Sequence, residues 1–336
     1  MELREELHRS ILKKLKNNEN PLDGFYAPEE TNEAILAVLI SGRHLLLEGP
    51  PGTGKTTLAK IMAGQLPPMQ VVEGCRYNCD PLSPRCPDCL NQRTGPGTST
   101  IAGMERFVRI QGSPELMPED MIGDIDPVAA MQCGIHDPRA FIPGKIQRAH
   151  RKILFIDELN RIPERTQNTL IQVLEEKTTT IAGFDVNIIV DTIVIATQNP
   201  GEYAGADRIS ETLGDRFECI QIGYPSLDQE IAILKRYARA FKDVKFDEKL
   251  FGDVVNISQT TRVIEDFSQP GSVRASIATF EQAQAIAQLQ GRNEVCHEDI
   301  EKAAKISLKG RTEVSPTSQY YEDQDILFKK IIKKDQ

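Results

Sequence analysis

Apolar positions along the chain follow two periods, and the switch between them assigns the elements. Residues 1–20 are charged with apolar positions at helical spacing, so they predict an amphipathic helix; Asn-Pro-Leu-Asp-Gly at 20–24 then breaks it. A second helix is expected over 29–41, with Ile35, Leu36, Leu39 and Ile40 on its apolar face. The continuous aliphatic run 44–48 predicts a buried strand that leads directly into a glycine-rich loop, and helical spacing returns over 56–66 until Pro67 and Pro68 end it. Further strands are expected at 106–110, 153–156, 192–196 and 218–222. Between them lie a capped helix start within 117–126 and a helix over 163–176 that turns Leu170, Val173 and Leu174 inward. The alternating stretch 178–190, interrupted by Ala182 and Gly183, predicts a β-hairpin.

Strands alternating with helices predict an α/β fold: a parallel sheet sandwiched by helices. Beyond Pro225 strand signals vanish, and helices are expected over 227–241, 271–289 and 297–308. The organisation expected is a helical N-terminal extension (1–24), an α/β core (25–223) holding a cysteine-rich insertion (70–98), a C-terminal all-helical lid (224–312) and a polar, then basic tail (313–336).

Composition narrows the function classes. Acidic residues number 49 against 40 basic, a net charge of −9, which argues against a surface built mainly to neutralise nucleic-acid phosphates while leaving room for a local basic pore. No window approaches the roughly 18 apolar residues of a membrane span, and the charged N-terminus lacks the apolar core of a signal peptide. The expected location is therefore cytoplasmic, where seven cysteines do not read as a disulfide framework.

The strongest chemical signal is Gly49-Pro50-Pro51-Gly52-Thr53-Gly54-Lys55-Thr56, a phosphate loop between a buried strand and a helix, with Thr57 following in the helix. Its glycines let backbone N–H groups converge on phosphate oxygens, and the helix N-terminus adds a favourable dipole. Lys55 is placed to reach the β and γ phosphates of ATP, and the Thr56 hydroxyl to ligate Mg²⁺. A second signal is Ile-Leu-Phe-Ile at 153–156 followed by Asp157 and Glu158, two carboxylates at a strand end where α/β proteins bind ligands. Asp157 would hold Mg²⁺ through its water shell, and Glu158 would polarise the attacking water.

Together with Leu159-Asn160-Arg161, Ile195-Ala-Thr-Gln-Asn199-Pro200, Asp215-Arg216-Phe217 and Gly271-Ser-Val-Arg274, these motifs resemble the MoxR and magnesium-chelatase-subunit-I branch of AAA+ ATPases over about residues 25–310. The resemblance implies hexameric rings with ATP bound between subunits. By the same resemblance Asn199 is the sensor-1 amide that contacts the γ-phosphate and orients the water. Arg216 is the arginine presented to the neighbouring subunit's nucleotide, with Arg208 as its nearby competitor, and Arg274 is the sensor-2 arginine. Residues 126–144 and 178–190 stand where this branch inserts two hairpins that face a client. Partners of the branch commonly carry a von Willebrand factor A domain.

Cys75-x₃-Cys79-x₆-Cys86-x₂-Cys89 lies in a proline-rich loop with little apolar content. Four thiolates can close a structural Zn²⁺ site that would order such a loop; an iron–sulfur cluster or free thiols are the alternatives. Cys133, Cys219 and Cys296 read as single thiols.

Three function classes follow. The leading one is a Mg²⁺-dependent ring ATPase coupled to remodelling of a partner or to metal insertion, as a MoxR-type chaperone or a magnesium or cobalt chelatase subunit. The others are a nucleic-acid motor related to replicative helicases, disfavoured by the acidic charge balance, and a nucleotide-gated scaffold, disfavoured by the intact Glu158, Asn199 and Arg216.

Overall fold

The computed structural model describes residues 2–90, 94–95, 97–135, 137, 140–180, 187–199 and 209–333. In chain order the elements are α1 (Leu3–Lys16), α2 (Glu29–Ile40), β1 (His44–Glu48), α3 (Lys55–Gln65), β2 (Met69–Val72), α4 (Pro87–Leu90), β3 (Thr98–Ile101), β4 (Phe107–Gln111) and α5 (Pro118–Ile122). There follow β5 (Gly123–Ile125), α6 (Pro127–Cys133), β6 (Phe141–Pro143), α7 (Lys145–Arg148), β7 (Lys152–Asp157), α8 (Glu164–Glu176), β8 (Thr178–Thr180), β9 (Asn187–Ile189), β10 (Thr192–Gln198), α9 (Glu211–Gly214) and β11 (Phe217–Gln221). The C-terminal part holds α10 (Leu227–Tyr237), α11 (Glu248–Val263), β12 (Phe267–Gln269), α12 (Val273–Leu289), α13 (His297–Lys309), β13 (Glu313–Val314) and α14 (Gln324–Ile332).

Two compact units form. One gathers the chain up to Phe25, Glu29–Gly49 and Gly54–Ile222; the other gathers Tyr26–Pro28, Pro50–Thr53 and the chain from Gly223 on. The first is built on a five-stranded sheet in the order β11-β1-β10-β7-β4, every neighbouring pair parallel. Its central strands are apolar on both faces because both are covered: Ile153–Ile156 and Ile193–Ala196 are wholly buried. Helix α8 adds Leu170, Val173 and Leu174 to that core, the face expected from its spacing. Register brings the carboxyl ends level, since Glu48 pairs with Gln198 and Gln221, and Gln111 with Asp157.

The N-terminal helix is part of this unit. Leu3, Leu7 and Ile11 of α1 are buried, and Glu6 meets the fully buried Arg106 at 2.5 Å. That guanidinium also donates to the carbonyls of Pro67 and Arg151, so its buried charge is matched by acceptors all round.

The second unit is helical, as expected, with three differences from the sequence reading. Helix α11 has no counterpart in the sequence reading, because Gly252 and six β-branched residues weaken the helical signal of a stripe carried by Phe251, Val254, Val255 and Ile257. A short antiparallel pair, Phe267 opposite Val314, stands where no strand was expected. The stretch read as a polar and basic tail carries α14, whose Leu327, Phe328, Ile331 and Ile332 are buried in the unit's core; the flanking lysines hid the apolar stripe. A buried ion pair completes this core: Arg262 grips Glu230 through both guanidinium nitrogens at 2.8 and 3.0 Å, and Ser276 donates to the same carboxylate at 2.6 Å. No helix among the described residues is long and apolar enough to cross a membrane.

Candidate functional site

The carboxyl edge of the sheet collects the chemistry. Gly49 follows β1 directly, and a Cβ there would strike the carbonyl oxygen of Ile222, so only glycine lets the chain leave the sheet here. Gly52 and Gly54 have φ of +82° and +87°, turns that other residues resist, and Gly54 directly precedes α3. Thr53 Oγ1 donates to the Pro50 carbonyl at 3.0 Å. Lys55, Thr56 and Thr57 form the first turn of α3, where N–H groups lack helical acceptors. Lys55 is buried; its Nζ donates to Gly49 O at 2.5 Å and lies 3.3 Å from Asn199 Oδ1, just past β10.

Asp157 closes β7 and Glu158 follows with φ +56°, a left-handed conformation that costs energy for a residue with a side chain. One hydroxyl serves both: Thr197 Oγ1 donates to Asp157 Oδ1 at 2.8 Å and accepts from Glu158 N at 2.9 Å. The second Asp157 oxygen holds Arg109 Nη2 at 2.5 Å. The Glu158 carboxylate accepts from Gln111 at 3.2 Å and pairs with Arg161 at 3.1 Å. Gly112 donates to Asp157 O at 2.7 Å, and a Cβ there would collide with the carbonyl oxygen of Glu158.

Arg216, between α9 and β11, pairs with Glu175 of α8 and donates to the Thr212 carbonyl. Arg208 lies outside the described residues. Arg274 is the second residue of α12 and is exposed.

Arg109, Gln111, Gly112 and Thr197 are additions to the residues singled out from sequence. Their signal is positional: β4 was legible as a strand, but only its pairing with β7 sets Gln111 opposite Asp157.

Three family descriptions match successive parts of the chain: "Magnesium chelatase, subunit ChlI" over residues 26–78, "ATPase family associated with various cellular activities (AAA)" over 98–219, and "AAA lid domain" over 268–329. The chain is an AAA+ ATPase with AAA, AAA-lid and magnesium-chelatase domains, and its relatives include magnesium-chelatase subunits and a MoxR chaperone. Among similar proteins, the uncharacterized protein YeaC of Bacillus subtilis is 27% identical over 85% of this chain and 82% of its own. The magnesium-chelatase 38 kDa subunit of Acidiphilium rubrum is 33% identical over 57% of this chain and 55% of its own. Chaperone MoxR1 of Mycobacterium tuberculosis is 30% identical over 61% of this chain and 42% of its own.

The resemblance marks three stretches of the first unit as additions. Strands β5 and β6 pair antiparallel with α6 between them, started by Asp126, whose carboxylate accepts from the N–H groups of Val128 and Ala129. Strands β8 and β9 pair antiparallel as the hairpin spacing foretold; its turn residues Ala182 and Gly183 lie outside the described residues.

The third addition is the cysteine loop, framed by β2 and β3. The Sγ atoms of Cys75, Cys79, Cys86 and Cys89 all lie within 4.8 Å of one another, and Cys75 and Cys86 are 3.6 Å apart. Four sulfurs about 2.3 Å from one Zn²⁺ stand about 3.8 Å apart, so the set fits a single tetrahedral ion. Hydrogen bonds from Cys79 and Cys86 hold the Cys75 thiol far below the usual range. Cys86 is pushed up by its hydrogen bonds to Cys75 and Cys79, and Cys89 by burial to about 12. One thiolate thus resists a second beside it, the condition a central cation relieves. Backbone N–H groups of Cys79 and Cys89 donate to Cys75 and Cys86 sulfurs at 3.4 Å.

Proposed function

We propose that this chain hydrolyses ATP with Mg²⁺ at the carboxyl edge of its sheet, as one subunit of a homo-hexameric ring whose cycle moves a partner protein. One observation carries the reading. Lys55 meets Asn199, while Asp157 and Glu158 share Thr197 two residues earlier, so three motifs distant in sequence converge on the end of β10.

In this reading the backbone of Gly49–Thr57 cradles the phosphates, and Lys55 exchanges its Gly49 and Asn199 contacts for phosphate oxygens. Thr56 and Asp157 are the residues that would hold Mg²⁺, which when bound would neutralise charge on the phosphates. Glu158 accepts a hydrogen bond from the attacking water and aims it; Asn199 fixes the other side of that water. Arg216 serves the neighbouring subunit's site and Arg274 links the helical lid to the nucleotide state. Phosphate release is the direct test. Glu158→Gln is expected to retain ATP with Mg²⁺ yet lose about 100-fold or more in kcat, whereas Lys55→Ala loses ATP binding. Equal rates for wild type and Glu158→Gln would remove Glu158 from the mechanism.

The similar proteins' names supply two jobs, chelatase subunit and chaperone, and the proposed hydrolytic cycle would serve either. We expect the partner to carry a von Willebrand factor A domain or to be chelatase-like. An ATP-trapped Glu158→Gln ring should retain that protein through affinity purification; recovery of a DNA complex instead would overturn the partner assignment. Cys75, Cys79, Cys86 and Cys89 are proposed to hold a structural Zn²⁺, supported by the spacing of their sulfurs. Thiolate ligation needs reduced cysteines, in keeping with a cytoplasmic location.

A further inference from the structure

The cysteine loop sits where the two inserted hairpins meet. Tyr77, Cys79 and Cys86 are buried with Phe141 of β6 and Ile188 of β9 in an apolar cluster of their own, edged by Val72, Cys75, Cys89 and Ile125. This cluster is separate from the one that covers the sheet. Each hairpin gives it one strongly buried anchor, because alternation turns the neighbours Ile142 and Ile189 outward to 39% and 44% exposure.

The residues that reach the hairpins are interleaved with the metal-ligating ones. Between Cys75 and Cys79 stand Arg76, Tyr77 and Asn78; between Cys86 and Cys89 stands Asp88. Arg76 grips the buried Asp88 with two bonds of 2.7 Å and donates to the Phe141 carbonyl at 3.2 Å. Asn78 donates to the Arg148 carbonyl at 2.8 Å, and its own carbonyl accepts from Arg151 at 3.3 Å. Those anchors precede β7, at the sheet edge opposite Asp157. A short loop of prolines and cysteines has little else to hold this arrangement in place.

We propose that the four-cysteine centre is the common footing of both inserted hairpins, so that a metal ion bound there sets the position of β5–β6 and of β8–β9 while leaving the nucleotide site untouched. The proposal rests on the zinc reading of the previous subsection and adds to it a mechanical role. An ion fixes Cys75, Cys79, Cys86 and Cys89; the intervening Arg76, Tyr77 and Asp88 then lock onto Phe141, its carbonyl and Ile188. Both hairpins are held by one centre, so they respond together to its loss.

Hydrogen exchange on the full chain tests this. The protein, purified under reducing conditions with added Zn²⁺, should hold one ion per chain by elemental analysis. Stripping that ion should speed exchange about tenfold or more in peptides carrying β6 and β9, with the β7 peptide unchanged and affinity for a fluorescent ADP within about twofold. Arg76→Ala keeps all four cysteines. It should retain the ion and loosen the β6 peptide, but not the β9 peptide, which separates loss of the strap from loss of the metal. A chain that takes up no Zn²⁺ would end the metal reading and this proposal with it. A chain that binds Zn²⁺ but exchanges identically without it would leave the metal reading standing and sink the footing. Equal loosening in β7 would also sink it, since the ion would then support the whole unit.

Discussion

At the scale of single residues, Asp157 is engaged on both oxygens before any cation arrives. Thr197 gives one oxygen a neutral hydrogen bond, and Arg109 gives the other a full positive charge at 2.5 Å. In the proposed reading Asp157 would hold Mg²⁺ only by sharing or giving up that guanidinium, and Arg109 is exposed enough to swing aside. Arg109→Ala should therefore lower the Mg²⁺ concentration for half-maximal nucleotide binding, by about threefold to tenfold, with little change in affinity for nucleotide at saturating Mg²⁺. An unchanged Mg²⁺ titration, read by fluorescent-nucleotide binding, would show that the pair offers no competition. His44 gives a second residue-scale prediction. Burial pushes it down to about 4 from the ordinary 6.5, while its Nδ1 accepts from the Val194 N–H at 3.0 Å. Between those values the unfolded chain binds a proton that the folded chain refuses, so stability is complete above pH 6.5 and is lost as pH falls towards 4. The loss is on the order of 3 kcal/mol for this one group. Urea midpoints followed from neutral pH downward should display that slope. His44→Leu should flatten it, while lowering stability at neutral pH by about 1–3 kcal/mol because Val194 loses its acceptor.

Elements show where sequence patterning was sufficient and where it was not. Strands β1, β7 and β10 were legible because a strand buried on both faces must be continuously apolar, and the phosphate loop because its glycines answer to backbone geometry rather than to a distant partner. Three distant neighbours left no such trace. Arg106 reads as an ordinary charge opening a strand, yet it is wholly buried and ties α1 to the sheet through Glu6. Gly112 reads as a turn former, yet its lack of a side chain lets β4 approach the strained Glu158 backbone. Helix α14 reads as a basic tail because its four buried apolar residues come as two pairs, each followed by two lysines. In each case the deciding partner lies far along the chain. The Glu6–Arg106 pair carries the corresponding prediction. Glu6→Ala leaves a buried guanidinium without its counter-charge and should cost about 3–5 kcal/mol. Thermal unfolding would register it, and a shift within about one degree would mean that the carbonyls of Pro67 and Arg151 alone satisfy Arg106.

For the whole molecule the open question is whether a site is completed by a second copy, and Arg216 is where that can be decided. In the single chain Arg216 is held by Glu175 and the Thr212 carbonyl, on the surface of α8. That hold has two readings with opposite consequences. If Arg216 only fastens α9 to α8, its loss weakens folding and no other subunit can compensate. If it serves a neighbouring nucleotide, the hold keeps the guanidinium at the surface ready for transfer, and Glu158 and Arg216 of one site come from different chains. Mixing two inactive variants separates these cases. A ring built from Arg216→Ala and Glu158→Gln subunits at equal ratio has about one interface in four where an intact Glu158 faces an intact Arg216. Neither variant alone contains such an interface. Phosphate release should therefore appear on mixing, peak near equal proportions, and fade when dilution separates the subunits. Both variants must first bind fluorescent ATP with wild-type affinity, so that the arginine's loss is not one of folding. Activity that never exceeds the sum of the two pure variants would place Arg216 in its own chain's structure and leave the across-subunit arginine to another residue.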